Sequence, residues 1–87
     1  HLLIPEFIDG VAKVMAHGAG TYGPRNWEKG TSWSRYFSAA MRHLWAWWGG
    51  EANDQKSGLP HLHHAACCVM FLATYDDRQV GNDDRKS

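Results

Sequence analysis

An all-α fold, with three helices per chain forming a helical bundle by self-association, is predicted by three observations in the 87-residue sequence. Apolar residues recur at helical spacing in three segments. Glycine-rich or polar loops separate those segments. No alternating apolar–polar run bounded by hairpin turn residues points to a strand. A domain of this size buries only about 60–70% of its unfolded surface, so help from a disulfide, a metal or a partner is expected. A disulfide is the weakest of the three, because Cys67 and Cys68 are neighbours inside an apolar helical run, as suits a reducing cytosol.

The first helix is predicted over Ile4 to His17. Ile4, Phe7, Ile8, Val11, Val14 and Met15 share one face. Pro5 is tolerated in a first turn, and Gly18 and Gly20 are read as the stop. Glu6 and Asp9 lie opposite the apolar stripe beside Lys13 and read as a solvated face. Residues 18–30 then form a glycine-rich loop containing Tyr22, Pro24 and Trp27. Thr31 or Ser32 can cap a second helix that runs to about Trp48, with Trp33, Tyr36, Phe37, Ala40, Met41, Leu44 and Trp48 as its stripe. Trp45, Trp47 and Trp48 cannot all face one core, so at least one is expected to pack against another chain or a ligand.

Residues 51–58 are polar and turn-like, and Pro60 suits the first turn of a third helix continuing to about Tyr75. That helix is apolar nearly all round, which calls for more packing than two neighbours give and motivates the homo-oligomer. Residues 1–76 are read as one all-α domain. Residues 77–87 are read as a polar, disordered tail.

Nine basic and nine acidic residues balance to zero, so no broad field favours a nucleic acid polymer or an anionic membrane. No apolar run is long enough to span a membrane and none reads as a signal peptide. A cytoplasmic protein is expected.

Two constellations can carry chemistry. The denser is His43, Glu51, Asp54, His61 and His64. His61 and His64 are three apart and project from one helix face, while His43 comes near the start of the third helix if the second and third run antiparallel. Imidazole plus carboxylate is a ligand set for a divalent metal; helix-end histidines bonded to backbone or to Glu51 are the plainer alternative. Cys68, one turn beyond His64, could add a thiolate, against the commoner role of a buried structural cysteine. The second constellation is Tyr22, Arg25, Asn26, Trp27 and Lys29. Its cations can hold phosphate oxygens, Asn26 can read a base edge, and an aromatic ring can stack on a base. Equally, the loop can simply drop Trp27 onto the core as an anchor. Arg42 can hold a phosphate or pair with Glu51.

Taken together, the strings LIPEFIDGVAKVMAHGAGTYGPRNWEKG, RHLWAWWGGE and SGLPHLHHAACCVMFL make residues 2–75 resemble the phage-associated dATP/dGTP diphosphohydrolase N-terminal family. The most specific pieces are Tyr22 to Gly30, Arg42-His43, Gly50-Glu51, Asp54, Ser57-Gly58 and the His61/His64 pair. The resemblance implies hydrolysis of purine deoxynucleoside triphosphates to monophosphate and pyrophosphate. A more distant likeness links the chain to the all-α nucleotide pyrophosphohydrolases of the MazG and dimeric dUTPase kind. Those enzymes hold magnesium through E-x-x-E and E-x-x-D helices. The corresponding faces here carry Arg42, His43 and His61-x-x-His64, with carboxylates moved to Glu51 and Asp54.

The resulting expectation is a metal-dependent dNTP pyrophosphohydrolase. Glu51, Asp54, His61 and His64 hold a divalent Mg, Mn or Zn ion, with His43 and Glu51 as catalytic groups. Arg25 and Arg42 neutralise phosphate, while Tyr22, Asn26 and Trp27 contact the nucleotide. The rival expectations are a non-catalytic module that sequesters a nucleotide and a purely structural helical oligomer.

Overall fold

The chain is seen in a computed structural model that describes residues 3–86; His1, Leu2 and the last tail residue, Ser87, lie outside that range. Three helices follow in order: α1 (Pro5–Tyr22), α2 (Trp33–Trp48) and α3 (His61–Arg78), with a single 3-10 turn, Asn26–Lys29, between α1 and α2. Among the described residues there is no strand, only two isolated bridges, Ser32 with Asn82 and Asn53 with Pro60. Among these residues no helix is long and apolar enough to cross a membrane either.

α1 runs past both glycines that the sequence reads as its stop. A glycine in a helix costs only about 1 kcal/mol relative to alanine, which a helix already three turns long can absorb. The chain leaves α1 at Gly23, where φ is 99° and the Gly23 N–H donates to the Ala19 carbonyl. α3 likewise runs beyond Tyr75 and ends at Gln79, a non-glycine residue in the left-handed region at φ 54°.

The third helix is central, packing mainly on α2 and also on α1. Leu62, Val69 and Met70 of α3 nevertheless remain exposed. Ala40 of α2 and Ala65 and Cys67 of α3 are buried, and Tyr75 is the most enclosed large side chain. The Tyr75 hydroxyl donates to the Trp27 carbonyl, tying the loop after α1 to the far end of α3. Trp27 stacks on Phe71 with ring centroids 5.2 Å apart, and Arg78 lies over its ring.

Ser32 makes no side-chain capping bond to α2. The start of that helix is instead completed by residues that follow α3. Trp33 N–H donates to Asn82 O at 2.9 Å, and Ser34 N–H donates to the Asp84 carboxylate at 3.0 Å. The Trp33 indole N–H donates to Val80 O at 2.8 Å. The residues read from sequence as a tail thus lie against α2 and satisfy two of the N–H groups that every helix leaves open at its first turn.

Phe7 and Ile8 on α1, and Trp45 and Trp48 at the end of α2, are exposed, the two tryptophans at 66% and 74%.

Candidate metal centre

The loop from α2 to α3 is pinned by its own backbone. Glu51 N–H donates to Ala46 O, Asp54 N–H to Leu59 O, Gly58 N–H to Asp54 O and His61 N–H to Ala52 O, all within 3.0 Å. These bonds fold residues 51–60 back over the first turn of α3. Pro60, with φ −58°, leads into that turn. Carboxylates from a polar loop are thereby held against imidazoles from two helices.

His43 on α2 and His61 on α3 are both buried, at 8% and 4% exposure. Their Nδ1 atoms are 2.8 Å apart. The other ring nitrogen of His61, Nε2, lies 2.5 Å from Glu51 Oε1. An ionised carboxylate only accepts, so Nε2 carries the proton of that bond. His64 stacks on His43 with centroids 4.5 Å apart and planes 8° from parallel, and its Nε2 is 2.7 Å from Ser57 Oγ. Asp54 Oδ2 accepts from Ser57 N–H at 2.9 Å. One ligand-capable atom from each of His43, Asp54 and His61 lies within 4.8 Å of the others, the spacing of a possible metal site.

The electrostatics favour neutral imidazole beside ionised carboxylate. Burial, reinforced by His64, His61 and Arg42, pushes His43 down to about 4, with Asp54 opposing. Burial also lowers His64, against the pull of Asp54. The Ser57 backbone N–H holds Asp54 below the usual carboxylate range. Burial raises the Cys68 thiol, against the influence of Arg42, which disfavours a thiolate ligand there.

The structure therefore brings together His43, Glu51, Asp54, His61 and His64. The loop residues lie apart from this cluster. Trp27 packs on Phe71, seven residues beyond His64, which corresponds to roughly 10 Å along a helix. The stacked Phe71 and the overlying Arg78 hold Trp27 against α3. Tyr22, Arg25 and Asn26 are exposed, and Arg25 stands 4.0 Å from Glu28. Arg42 is exposed beside the cluster and makes no bond to Glu51, which is engaged with His61. Sequence reasoning gave no role to Ser57, which contacts both Asp54 and His64. It lies in the Ser57-Gly58 string, but only the folded loop shows what its hydroxyl meets.

The family model described as "dATP/dGTP diphosphohydrolase, N-terminal" matches residues 1–85. A "dATP/dGTP diphosphohydrolase" of Salmonella phage PMBT28 is 34% identical over 85 residues, covering 98% of this chain and 29% of the relative. The chain thus spans under a third of that protein's length. No solved structure matches. With nearly its whole length aligned in both comparisons, the chain belongs to the dATP/dGTP diphosphohydrolase N-terminal family.

Proposed function

We propose that this chain is the phosphate-processing part of a metal-assisted nucleotide hydrolase acting on purine deoxynucleoside triphosphates. The observation that carries the reading is the cluster of buried His43 and His61 with half-buried Asp54, in a chain aligned over 98% of its length with a protein named dATP/dGTP diphosphohydrolase. The reaction adds water across the α–β phosphoanhydride, releasing monophosphate and pyrophosphate. A bound divalent ion supplies Lewis acidity toward a phosphate oxygen and a water of lowered pKa.

The chain's own residues do the rest. Arg42, exposed at the edge of the cluster, neutralises phosphate charge. Glu51 holds His61 in one tautomer, and Ser57 holds both Asp54 and His64. Tyr22, Arg25 and Asn26, on the exposed loop after α1, contact the distal part of the nucleotide. Self-association through Trp45 and Trp48 gives the small domain its missing buried area, and the protein works away from membranes.

The test is incubation of the folded chain with dATP, dGTP, dCTP and dTTP in the presence of Mg, Mn or Zn, with chromatography of the products. Monophosphate and pyrophosphate from dATP and dGTP are expected. Intact nucleotide under every metal overturns the catalytic reading. If calorimetry then shows tight, chelator-insensitive binding, the chain is a nucleotide-sequestering module.

A further inference from the structure

We infer that His43, His61 and Asp54 bind a divalent transition ion of borderline softness, of the zinc or cobalt class, and that Glu51 is a positioning residue behind His61 rather than a ligand. The inference deepens the metal-assisted reading above, although binding of the ion does not require that the nucleotide be turned over.

Three observations point the same way. First, the Nδ1 atoms of His43 and His61 face each other at 2.8 Å. Two imidazole nitrogens on one tetrahedral zinc, each about 2.0–2.1 Å from it, stand roughly 3.3 Å apart. The pair therefore needs to open by only about half an ångström to admit an ion. Second, Asp54 supplies a carboxylate within 4.8 Å of both histidines. Its Oδ2 is tied to Ser57 N–H, which fixes the group and leaves the second oxygen to ligate. Third, Glu51 Oε1 sits on Nε2 of His61, across the ring from Nδ1. A carboxylate accepting from the non-ligating nitrogen is the usual outer partner of a metal-bound histidine, fixing its tautomer and raising its basicity.

The donor set discriminates between ions. Magnesium asks for six oxygens in near-octahedral geometry and gives up water reluctantly. Two buried imidazoles and one carboxylate suit zinc, cobalt or their neighbours and leave an open fourth position. His64 has its Nε2 on Ser57 and its ring flat against His43, so it buttresses the site rather than ligating.

The experiment is calorimetry of the chain with Zn, Co and Mg at neutral pH, with the visible spectrum of the cobalt form as a geometric readout. One zinc or cobalt per chain and an intense tetrahedral cobalt spectrum are expected, with magnesium at least 100-fold weaker. His43→Gln and His61→Gln should each weaken binding 100-fold or more. Glu51→Gln should weaken it by about 10–100-fold while leaving the cobalt band shape intact. Circular dichroism verifies folding. Should a histidine variant not fold, nitrogen NMR of the unaltered chain decides, with zinc expected to shift Nδ1 of both His43 and His61.

Equal binding of magnesium, no binding of zinc or cobalt, or a Glu51→Gln loss as large as that of His61→Gln with a changed spectrum overturns the assignment. Zinc binding without pyrophosphate release overturns only the hydrolase reading. Pyrophosphate release indifferent to His43→Gln and His61→Gln, with zinc binding lost in both, overturns the metal-assisted reading of hydrolysis and leaves the ion site standing.

Discussion

His43 and His61, eighteen residues apart in sequence, share a hydrogen bond between their Nδ1 atoms at 2.8 Å inside the α2–α3 interface. Such a bond needs one ring to donate and the other to accept, so both cannot be protonated at Nδ1 without losing it. Burial is the main force keeping His43 neutral, pushing it from 6.5 to about 4.

That depression makes stability pH-dependent. Between pH 6.5 and about 4 the unfolded chain binds the proton that native His43 refuses. Its contribution is therefore complete above pH 6.5 and is lost as pH falls through this window. His64 is shifted in the same direction. We predict that the metal-free protein, kept in chelator, loses on the order of 2 kcal/mol between pH 7 and pH 4.5 from His43 alone. His43→Gln should flatten the profile. Urea melts at stepped pH provide the check, and a midpoint unchanged across the window contradicts it.

A second prediction concerns Gly10, a buried position on α1. A Cβ there would lie 2.1 Å from His63 Nδ1 and 2.7 Å from its Cγ, so the whole ring would have to move. His63 also meets Phe7 edge-on at 5.7 Å, which restricts where it can go. Gly10→Ala should destabilise by about 1–3 kcal/mol despite a propensity gain of about 1 kcal/mol. In a His63→Ala background the same change should stabilise. Thermal melts of the four proteins in this cycle give the sign directly.

Tyr75 provides a third. Its hydroxyl is the partner of the Trp27 carbonyl, 48 residues away. Tyr75→Phe removes the donor and leaves the carbonyl in a part-buried place, costing about 1–3 kcal/mol. Hydrogen exchange should quicken around Asn26–Lys29 more than in α2. A uniform change across the chain would argue against a local anchor.

The fourth prediction addresses the start of α2. Asp84 accepts both Ser34 N–H, at 3.0 Å, and the Ser34 hydroxyl, at 2.5 Å. Asp84→Ala should lower stability modestly, through loss of a carboxylate that accepts from a first-turn N–H of the helix. Gly81→Ala should cost more, because Gly81 has φ 79° and its added Cβ would fall 2.4 Å from Thr31 O. Denaturant midpoints rank the two variants.

Much of this fold could be read from residue spacing. The stripe of Trp33, Tyr36, Phe37, Ala40, Met41, Leu44 and Trp48 announced α2 because period 3.6 is local information. The stop of α1 was misplaced because a glycine ends a helix only where positive φ is needed, and that need arose at Gly23 rather than at Gly18 or Gly20. The proximity of His43, His61 and His64 followed from an antiparallel helix pair joined by a short loop. That Glu51 Oε1 meets Nε2 of His61 depended on the folded loop, which no spacing encodes. Docking of Asn82 and Asp84 on α2 was likewise hidden, since contacts fifty residues apart leave no periodicity.

The last prediction turns on the tryptophans. Trp47 and Trp48 touch each other at 6.1 Å yet remain 41% and 74% exposed, and Trp45 is 66% exposed. Trp45 and Trp48, one helical turn apart on α2, leave two large rings in water, an apolar exposure that a monomer of this size rarely shows. Fully burying an aromatic side chain is worth about 1.5–3 kcal/mol, so covering two of them in a pair of identical chains offers a large share of a small domain's stability. Sedimentation should show a concentration-dependent dimer or higher oligomer. Trp45→Gln with Trp48→Gln should shift it to monomer and lower the midpoint of thermal unfolding at a fixed concentration. The proposed metal site lies in the α2–α3 interface of one chain, so any zinc affinity per chain should survive the double substitution. A strictly monomeric parent protein at high concentration would leave these rings to some other surface and refute self-association through them.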